Sequence, residues 1–161
     1  MRARALCLIT LTCLAWVPAG CDLLPQSTSN RLLAQVAQQE RKWLEKDIDS
    51  CRIVVSHVSS VWHAQTHNIT VRASEVLDQS ASCIPAQVEN GKCEMQPFDA
   101  EEYTVPGLFG LARWLAQVDD GNWTEIEFDP TYGYPSGIAL DRPEIVDEDS
   151  YWGVRSFEIL D

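Results

Sequence analysis

The segment that most restricts the fold is a short alternation followed by a dense turn. Residues 124–128 (TEIEF) alternate polar and apolar side chains, so one face of an extended strand would be apolar and the other acidic. Residues 129–135 (DPTYGYP) consist mainly of turn-forming types. Apolar residues then resume with Ile138 and Leu140. The pattern predicts a strand, a turn and a returning strand, with one face buried.

Two segments have the spacing of amphipathic helices. In residues 31–46, apolar side chains recur three and four positions apart, and Asn30 can cap this helix. Residues 105–118 repeat the pattern, with Thr104 as the N-cap and Pro106 in the first turn. We therefore expect two helices, each with one face against a core.

The remaining elements are expected to be strands and loops. Apolar and β-branched residues predict strands at 51–56, 67–72 and 75–79. Ala73 and Ser74 then form a hairpin turn, residues 80–103 form an irregular loop, and a last strand lies within 151–160. The order α-β-β-β-α-β-β, with a further C-terminal strand left open, predicts an α+β fold. In it, two helices pack on one face of an antiparallel sheet.

The N-terminus has the layout of a secretory signal peptide. Residues 1–4 carry two arginines, and an uncharged apolar run follows at 5–17. This run is too short to span a bilayer and is typical of a signal peptide. An Ala-Gly pair then precedes Cys21, which resembles the lipobox of bacterial lipoproteins. In those proteins the signal is cut before the cysteine, and the cysteine carries the lipid.

The lipobox resemblance implies how the chain is divided and where the protein is located. Residues 1–20 are the signal peptide, 21–30 a lipidated tether and 31–161 a single domain. Acyl chains such as palmitate on Cys21 would hold the domain at the membrane of a bacterial cell envelope, facing the periplasm or the exterior. Cleavage after Ala19 is the alternative, and it would give a secreted soluble protein.

The charge balance excludes one class of partner. The chain has 12 basic and 24 acidic residues, a net charge of −12. Such a chain repels the phosphates of nucleic acids. We expect no nucleic-acid binding, and we interpret the acidity mainly as a means of keeping an exported domain soluble.

The turn also carries a family resemblance. Residues 126–138 resemble the bacterial family called domain of unknown function 6174, whose members show a strand, a D-P-x-Y-G-Y/F-P turn and a returning strand. The motif residues are Asp129, Pro130, Tyr132, Gly133, Tyr134 and Pro135. Trp43 and Ile48 are similar to the family's entry into its first strand, and the resemblance covers most of 40–160. It implies an exported, often lipidated α+β domain, and it implies no activity.

Three cysteines follow the lipobox cysteine. Cys83 and Cys93 are the candidates for a disulfide bond that closes the loop between them, and such a closure contributes about 2–3 kcal/mol. A tight hairpin turn at residues 90–91 would oppose this bridge by holding the two cysteines apart. The alternative is three buried thiols. Cys51, in an apolar strand, is expected to be an inert core residue.

Histidines and acidic clusters do not predict a metal site. His57, His63 and His67 lie in strand-like and loop-like sequence without further ligands in pattern, and we expect ordinary surface histidines. The acidic groups at 119–122 and 147–149 lack the alternating spacing of a calcium loop. We therefore expect neither a metal nor a cofactor.

No catalytic motif stands out, so the sequence favours a non-enzymatic module that binds an envelope protein or polymer. An aromatic surface for such a partner could include Trp123, Tyr132, Tyr134 and Trp152. The alternative is a small envelope hydrolase that acts on a glycan through Glu125 and Glu127, which strand geometry places about 6–7 Å apart. The hydrolase predicts a cleft at this hairpin, with raised carboxylate pKa values.

Overall fold

The computed structural model describes residues 27–60, 63–84, 95–118, 123–141 and 149–161. Within these ranges the chain forms two α-helices, one 3-10 helix and six β-strands. The predicted signal peptide and Cys21 lie outside the described residues, so the lipid anchor stays a prediction.

The described strands form a single antiparallel sheet. The helical elements are α1 (Thr28–Leu44), the 3-10 helix η1 (Ala100–Tyr103) and α2 (Val105–Gln117). The strands are β1 (Cys51–Ser60), β2 (His63–Arg72), β3 (Glu75–Ile84), β4 (Thr124–Phe128), β5 (Pro135–Leu140) and β6 (Ser150–Ile159). Their order in the sheet is β3-β2-β1-β6-β5-β4. The α+β class is confirmed, and the strand left open at the C-terminus is present as β6.

Helix α1 begins earlier than predicted because a different residue caps it. The hydroxyl of Ser27 accepts a hydrogen bond from the backbone N–H of Asn30 at 3.3 Å. The prediction of Asn30 as the cap was wrong, since Asn30 lies within the first turn. The helix buries Val36 and Trp43, which belong to the same core cluster as the central strands.

Helix α2 begins as the sequence predicts. The hydroxyl of Thr104 accepts a hydrogen bond from the N–H of Gly107 at 3.2 Å and donates one to the carbonyl of Glu101 at 2.7 Å. A Cβ atom at Gly107 would overlap that same Glu101 carbonyl, so glycine allows α2 to start directly against η1. The buried face of α2 comprises Val105, Leu108, Phe109, Ala112, Leu115 and Ala116.

The strands are longer than their sequence signals. β3 continues to Ile84, so the loop predicted at 80–103 was wrong for residues 80–84, and it was also wrong at η1. Residue pairing explains the extension, because Ser80 lies opposite Asn68 and Ile84 opposite Ala64 on β2. Ladder hydrogen bonds to β2 stabilise a segment that begins with serine and alanine, which have little strand preference of their own.

The β2–β3 hairpin turn at Ala73 and Ser74 is confirmed. Both residues have positive φ, 51° and 64°, as a two-residue type I′ turn requires. The register places Arg72 opposite Glu75 beside the turn. The backbone N–H of Ser74 also donates to the carbonyl of Asp49 at 2.9 Å, which ties the hairpin to the segment between α1 and β1.

The family motif forms the predicted turn, and Asp129 organises it. The Asp129 carboxylate accepts hydrogen bonds from the N–H groups of Thr131 at 2.9 Å and Tyr132 at 2.7 Å. Its backbone N–H donates to the carbonyl of Tyr134, and its carbonyl accepts from Gly133. Gly133 has a φ of 85°, a conformation that favours glycine. The motif thus satisfies its own backbone polar groups.

This turn also packs against α1. The Lys42 ammonium donates to the carbonyl of Pro130 at 2.5 Å, and a Cβ at Gly133 would lie 2.9 Å from the carbonyl of Gln39. Four rings meet beneath it in contacts of 4.8–6.4 Å. We call them the turn cluster: Trp43, Tyr132, Tyr134 and Phe157. The motif residues therefore serve the fold by joining the β4–β5 hairpin to α1.

Candidate binding site

The structure separates the predicted site residues. Cys21 and Cys93 lie outside the described residues, whereas Cys83 lies on β3, so the bridge between Cys83 and Cys93 stays a prediction. Of the predicted aromatic surface, Tyr132 and Tyr134 belong to the turn cluster. Trp123 is exposed just before β4, and only Trp152 lies in a cleft with other aromatic rings.

Glu125 and Glu127 lie on the outer face of β4. Both side chains are exposed, whereas Ile126 between them is buried. The hairpin pairs Glu125 with Ala139 and Glu127 with Gly137, and these small partners build no wall around the carboxylates. Such open geometry lacks the enclosed, water-excluding surroundings of a catalytic cleft.

The three histidines share one region, and the prediction that all are surface residues was wrong. His67 has no exposed surface, and His57 is partly buried. Register explains the grouping: His57 lies opposite Gln65, and His63 and His67 are the same-face neighbours of Gln65 along β2. No group of three or more metal-binding side chains occurs in the part of the chain that the structure describes.

His57 is held between two aromatic side chains. Its Nδ1 lies 2.9 Å from the Tyr103 hydroxyl, and its ring stacks on Trp152 with 4.5 Å between centroids and 16° between planes. Burial, together with the nearby charges of His67 and His63, lowers the pKa of His57 to about 4. The imidazole is therefore neutral at neutral pH.

His67 lies beneath the same tyrosine. The rings of His67 and Tyr103 stack at 3.6 Å with 17° between their planes, and Phe98 meets His67 edge-on at 4.6 Å. Neither ring nitrogen of His67 has a hydrogen-bond partner among the described residues. Burial, and then the charge of His63, lower its pKa to about 4. Burial and the charge of Glu102 raise the pKa of Tyr103 to about 12.

A groove of about 520 Å³ opens beside this stack. We call it the aromatic groove. Its floor is formed by His57, Tyr103 and Trp152, and its rim includes Glu101 and Glu102. Its volume lies in the range of small-molecule and side-chain binding pockets. Its lining combines aromatic surface with carboxylates.

Helix α2 supplies the far wall of the aromatic groove. Gly107, Gly110, Leu111 and Trp114 line it, at the spacing of one helical face. Trp114 is 58% exposed, and, apart from the neighbouring backbone of α2, no described atom lies within 4 Å of where a Cβ at Gly110 would stand. Helix α2 therefore has two apolar faces, of which one is in the core and the other faces the groove. The glycine and tryptophan spacing was visible in the sequence, but the helix was interpreted only through its buried face.

A second cleft of about 250 Å³ is lined in part by η1 and the start of α2. Trp43, Ile48, Cys51, Val71, Val76 and Val105 supply its apolar lining. Asp47, Asp49 and Glu101 add carboxylates, and Glu101 also lines the aromatic groove. We call it the second cleft.

Cys51 behaves as the core residue that the sequence predicts. It is 4% exposed and unpaired, and burial raises the pKa of its thiol. A higher pKa disfavours the thiolate, which is the reactive form. Cys51 therefore contributes apolar surface to the second cleft rather than a nucleophile.

Comparison with known families agrees with the motif. The profile of a family of unknown function (DUF6174) matches residues 35–159. The chain belongs to this family. In this DUF6174 protein the match runs from α1 to the end of β6 and so includes both clefts. No curated protein and no solved structure matched the chain. Among the described residues, no helix is both long and apolar enough to cross a bilayer.

Proposed function

We propose that this DUF6174 protein is a lipid-anchored binding module of the bacterial cell envelope. Its aromatic groove would receive a peptide segment of a partner protein. The observation that carries the proposal is Trp114, a large indole with 58% of its surface exposed on the wall of a 520 Å³ groove. Tryptophan is enriched among the residues that contribute most to protein interfaces.

The groove is built on regular elements. One wall is α2, whose opposite face is packed in the core, and the floor comes from η1 and the paired strands β1 and β6. Sites held by helices and strands keep their shape better than sites held by loops. A preformed site reduces the ordering that accompanies binding, and the ligand then binds more tightly.

The chemistry of the groove supports binding more than catalysis. The Nδ1 of His57 is engaged by the Tyr103 hydroxyl, and one ring face is covered by Trp152. Its pKa of about 4 lies well below the value near working pH that suits a general base. Glu125 and Glu127, the residues of the alternative hydrolase, are exposed on a different element, and no contact of theirs favours that role.

The proposed location of the protein in the cell envelope rests on its N-terminal sequence. Residues 5–17 have the length and composition of a signal peptide, and Cys21 follows the Ala-Gly pair. Mass spectrometry of protein from native membranes tests it. We expect a mature chain that begins at an acylated Cys21. A chain that begins at Gly20, with an unmodified thiol, would contradict the anchor and leave the groove proposal intact.

Selection of a random peptide library against the full-length protein in phosphatidylcholine nanodiscs tests the groove. Selected peptides are expected to bind wild type and to lose at least about tenfold in affinity to Gly110→Phe, whose ring would fill the groove. The fold should tolerate this change, because the Cβ position is open and glycine destabilises a helix interior. Gly110→Ala, which adds only a methyl group, and Trp123→Ala, outside the groove, are the matched controls.

The result that contradicts the proposal is equally specific. Peptides that bind wild type and Gly110→Phe with equal affinity would show that the aromatic groove is not the binding site. A selection that enriches no peptide above empty nanodiscs would likewise count against a peptide ligand.

A further inference from the structure

We infer that the segment recognised by the aromatic groove is basic and extended, and that it continues across η1 into the second cleft. This inference rests on the proposed function and adds to it the chemistry and the path of the ligand. Three observations carry it: the two clefts share a lining residue, their carboxylates lack cationic partners, and both offer apolar surface.

Continuity of the two clefts comes from η1. Glu101, which belongs to this short helix, lines both the aromatic groove and the second cleft. The two clefts are therefore adjacent at this residue. An extended chain, whose alternate side chains point in opposite directions, can place one side chain in each cleft and lay its backbone over Glu101.

The charge of the lining selects a basic ligand. Four carboxylates line the clefts: Asp47, Asp49, Glu101 and Glu102. Among the described residues the ion pairs join Arg52 to Glu158 and Arg113 to Glu40, so none of the four carboxylates is neutralised by a cation. Burial, and then the charge of Glu102, raise the pKa of Tyr103 in the floor. In a chain of net charge −12, a cationic ligand is attracted and an anionic one is repelled.

The aromatic surface suits the same ligand. Trp114 and Trp152 present indole rings to the groove whose rim carries Glu101 and Glu102. A lysine or arginine side chain can lay its aliphatic stem, or the guanidinium face, on an indole while its charge reaches a carboxylate. The second cleft, with Ile48, Val71 and Val76 in its lining, suits an aliphatic side chain. Alternating basic and aliphatic residues would therefore match both clefts.

A defined probe tests this chemistry. The probe is a fluorescein-labelled hexapeptide of alternating leucine and lysine, and anisotropy is measured with the full-length protein in phosphatidylcholine nanodiscs against empty nanodiscs. We expect binding that weakens as salt is added. The double variant Glu101→Gln/Glu102→Gln should lose about tenfold in affinity, and Asp47→Asn/Asp49→Asn about threefold, because each exposed contact contributes modestly.

Two controls separate local recognition from general attraction. The double variant Glu125→Gln/Glu127→Gln removes the same charge from exposed positions on β4, and its affinity should stay within about twofold of wild type. Hexapeptides with serine or glutamate in place of lysine should bind weakly or not at all. Equal losses in the two glutamate double variants would mean attraction to net charge alone and would overturn the inference.

Other outcomes would overturn one part of the inference, either the chemistry of the ligand or its path. Full binding of the serine peptide would refute the basic ligand, and an unchanged affinity in Asp47→Asn/Asp49→Asn would refute the path through the second cleft. If spermidine binds as tightly as the peptide and loses the same affinity in the same variants, the ligand would be a small polyamine and not a peptide. Library peptides that no longer bind the Gly110→Phe variant but contain no basic residue would overturn this inference and leave the proposed function standing.

Discussion

Two aromatic clusters lie at opposite ends of the β1–β6 pair and differ in what covers them. In the turn cluster, Trp43 is 7% exposed and meets Tyr134 and Phe157 edge-on. In the aromatic groove, Trp152 stacks on His57, but Trp114 remains 58% exposed. Both clusters contain tryptophan and tyrosine, so aromatic content does not distinguish a structural cluster from a binding surface. Coverage by α1 distinguishes them.

The clusters also differ in how their polar groups are satisfied. At the turn, Asp129 accepts hydrogen bonds from two backbone N–H groups and closes two more through its own backbone. Beside the groove, both ring nitrogens of the buried His67 lack a hydrogen-bond partner within the part of the chain that the structure describes. An unpaired buried polar group opposes folding by about 1–3 kcal/mol. The described contacts thus satisfy the polar groups of the turn more fully than the imidazole beside the groove.

The largest expected effect tests the turn cluster. Trp43→Ala should lower the free energy of unfolding by about 3–5 kcal/mol, because it removes a buried indole and leaves a cavity among its ring partners. Denaturant titration followed by circular dichroism measures the change. A loss below about 1 kcal/mol would contradict a structural role for this cluster.

An intermediate effect, in pH dependence, tests the histidines. His57 and His67 have folded pKa values of about 4, below the unfolded value of about 6.5. Between these two pH values the unfolded state binds more protons than the folded state. The stability that the two neutral histidines contribute is therefore fully present above about pH 6.5 and is lost as the pH falls towards 4. Each group contributes a slope of up to about 1.4 kcal/mol per pH unit.

His67→Leu isolates one of these contributions. Leucine has a similar volume and no titrating group, so the variant should lose less stability than wild type between pH 6.5 and 4. The comparison of the two unfolding curves cancels the contribution of carboxylates that both proteins share. Identical pH slopes in the two proteins would show that His67 does not resist protonation.

The smallest expected effect on stability tests the groove. Trp114→Ala should change the free energy of unfolding by less than about 0.5 kcal/mol, because the side chain is largely exposed. The same variant should weaken binding of library peptides at least about tenfold. A large loss of stability with unchanged binding would assign Trp114 to the core and remove the contrast between the two clusters.

Local patterns predicted the elements whose signals were complete in the sequence. The alternation at 124–128 and the turn around Asp129 formed as expected, because strand period, turn chemistry and backbone hydrogen bonds act over a few residues. Thr104 likewise caps α2 as predicted. The end of β3 was missed, since its small polar residues are held in the strand by β2, which a local pattern does not contain.

The site was harder to predict because it depends on pairing between distant segments. His57 and His67 are grouped only by the register of β1 with β2, and Tyr103 joins them from η1, more than thirty residues later in the chain. The second apolar face of α2 could be recognised in the sequence. Which face lies in the core was decided by packing on the sheet, so the sequence alone could not show that Trp114 stays uncovered.

The open position above Gly110 provides a molecular ruler. Because no described atom outside the backbone of α2 lies near a Cβ at this site, alanine, valine and leucine can be introduced one after another, and each shortens the depth left for an incoming group. The bulkiest substituent that still permits binding reports the size of what normally enters. The dimensions of a natural ligand could in this way be measured before the ligand itself is isolated.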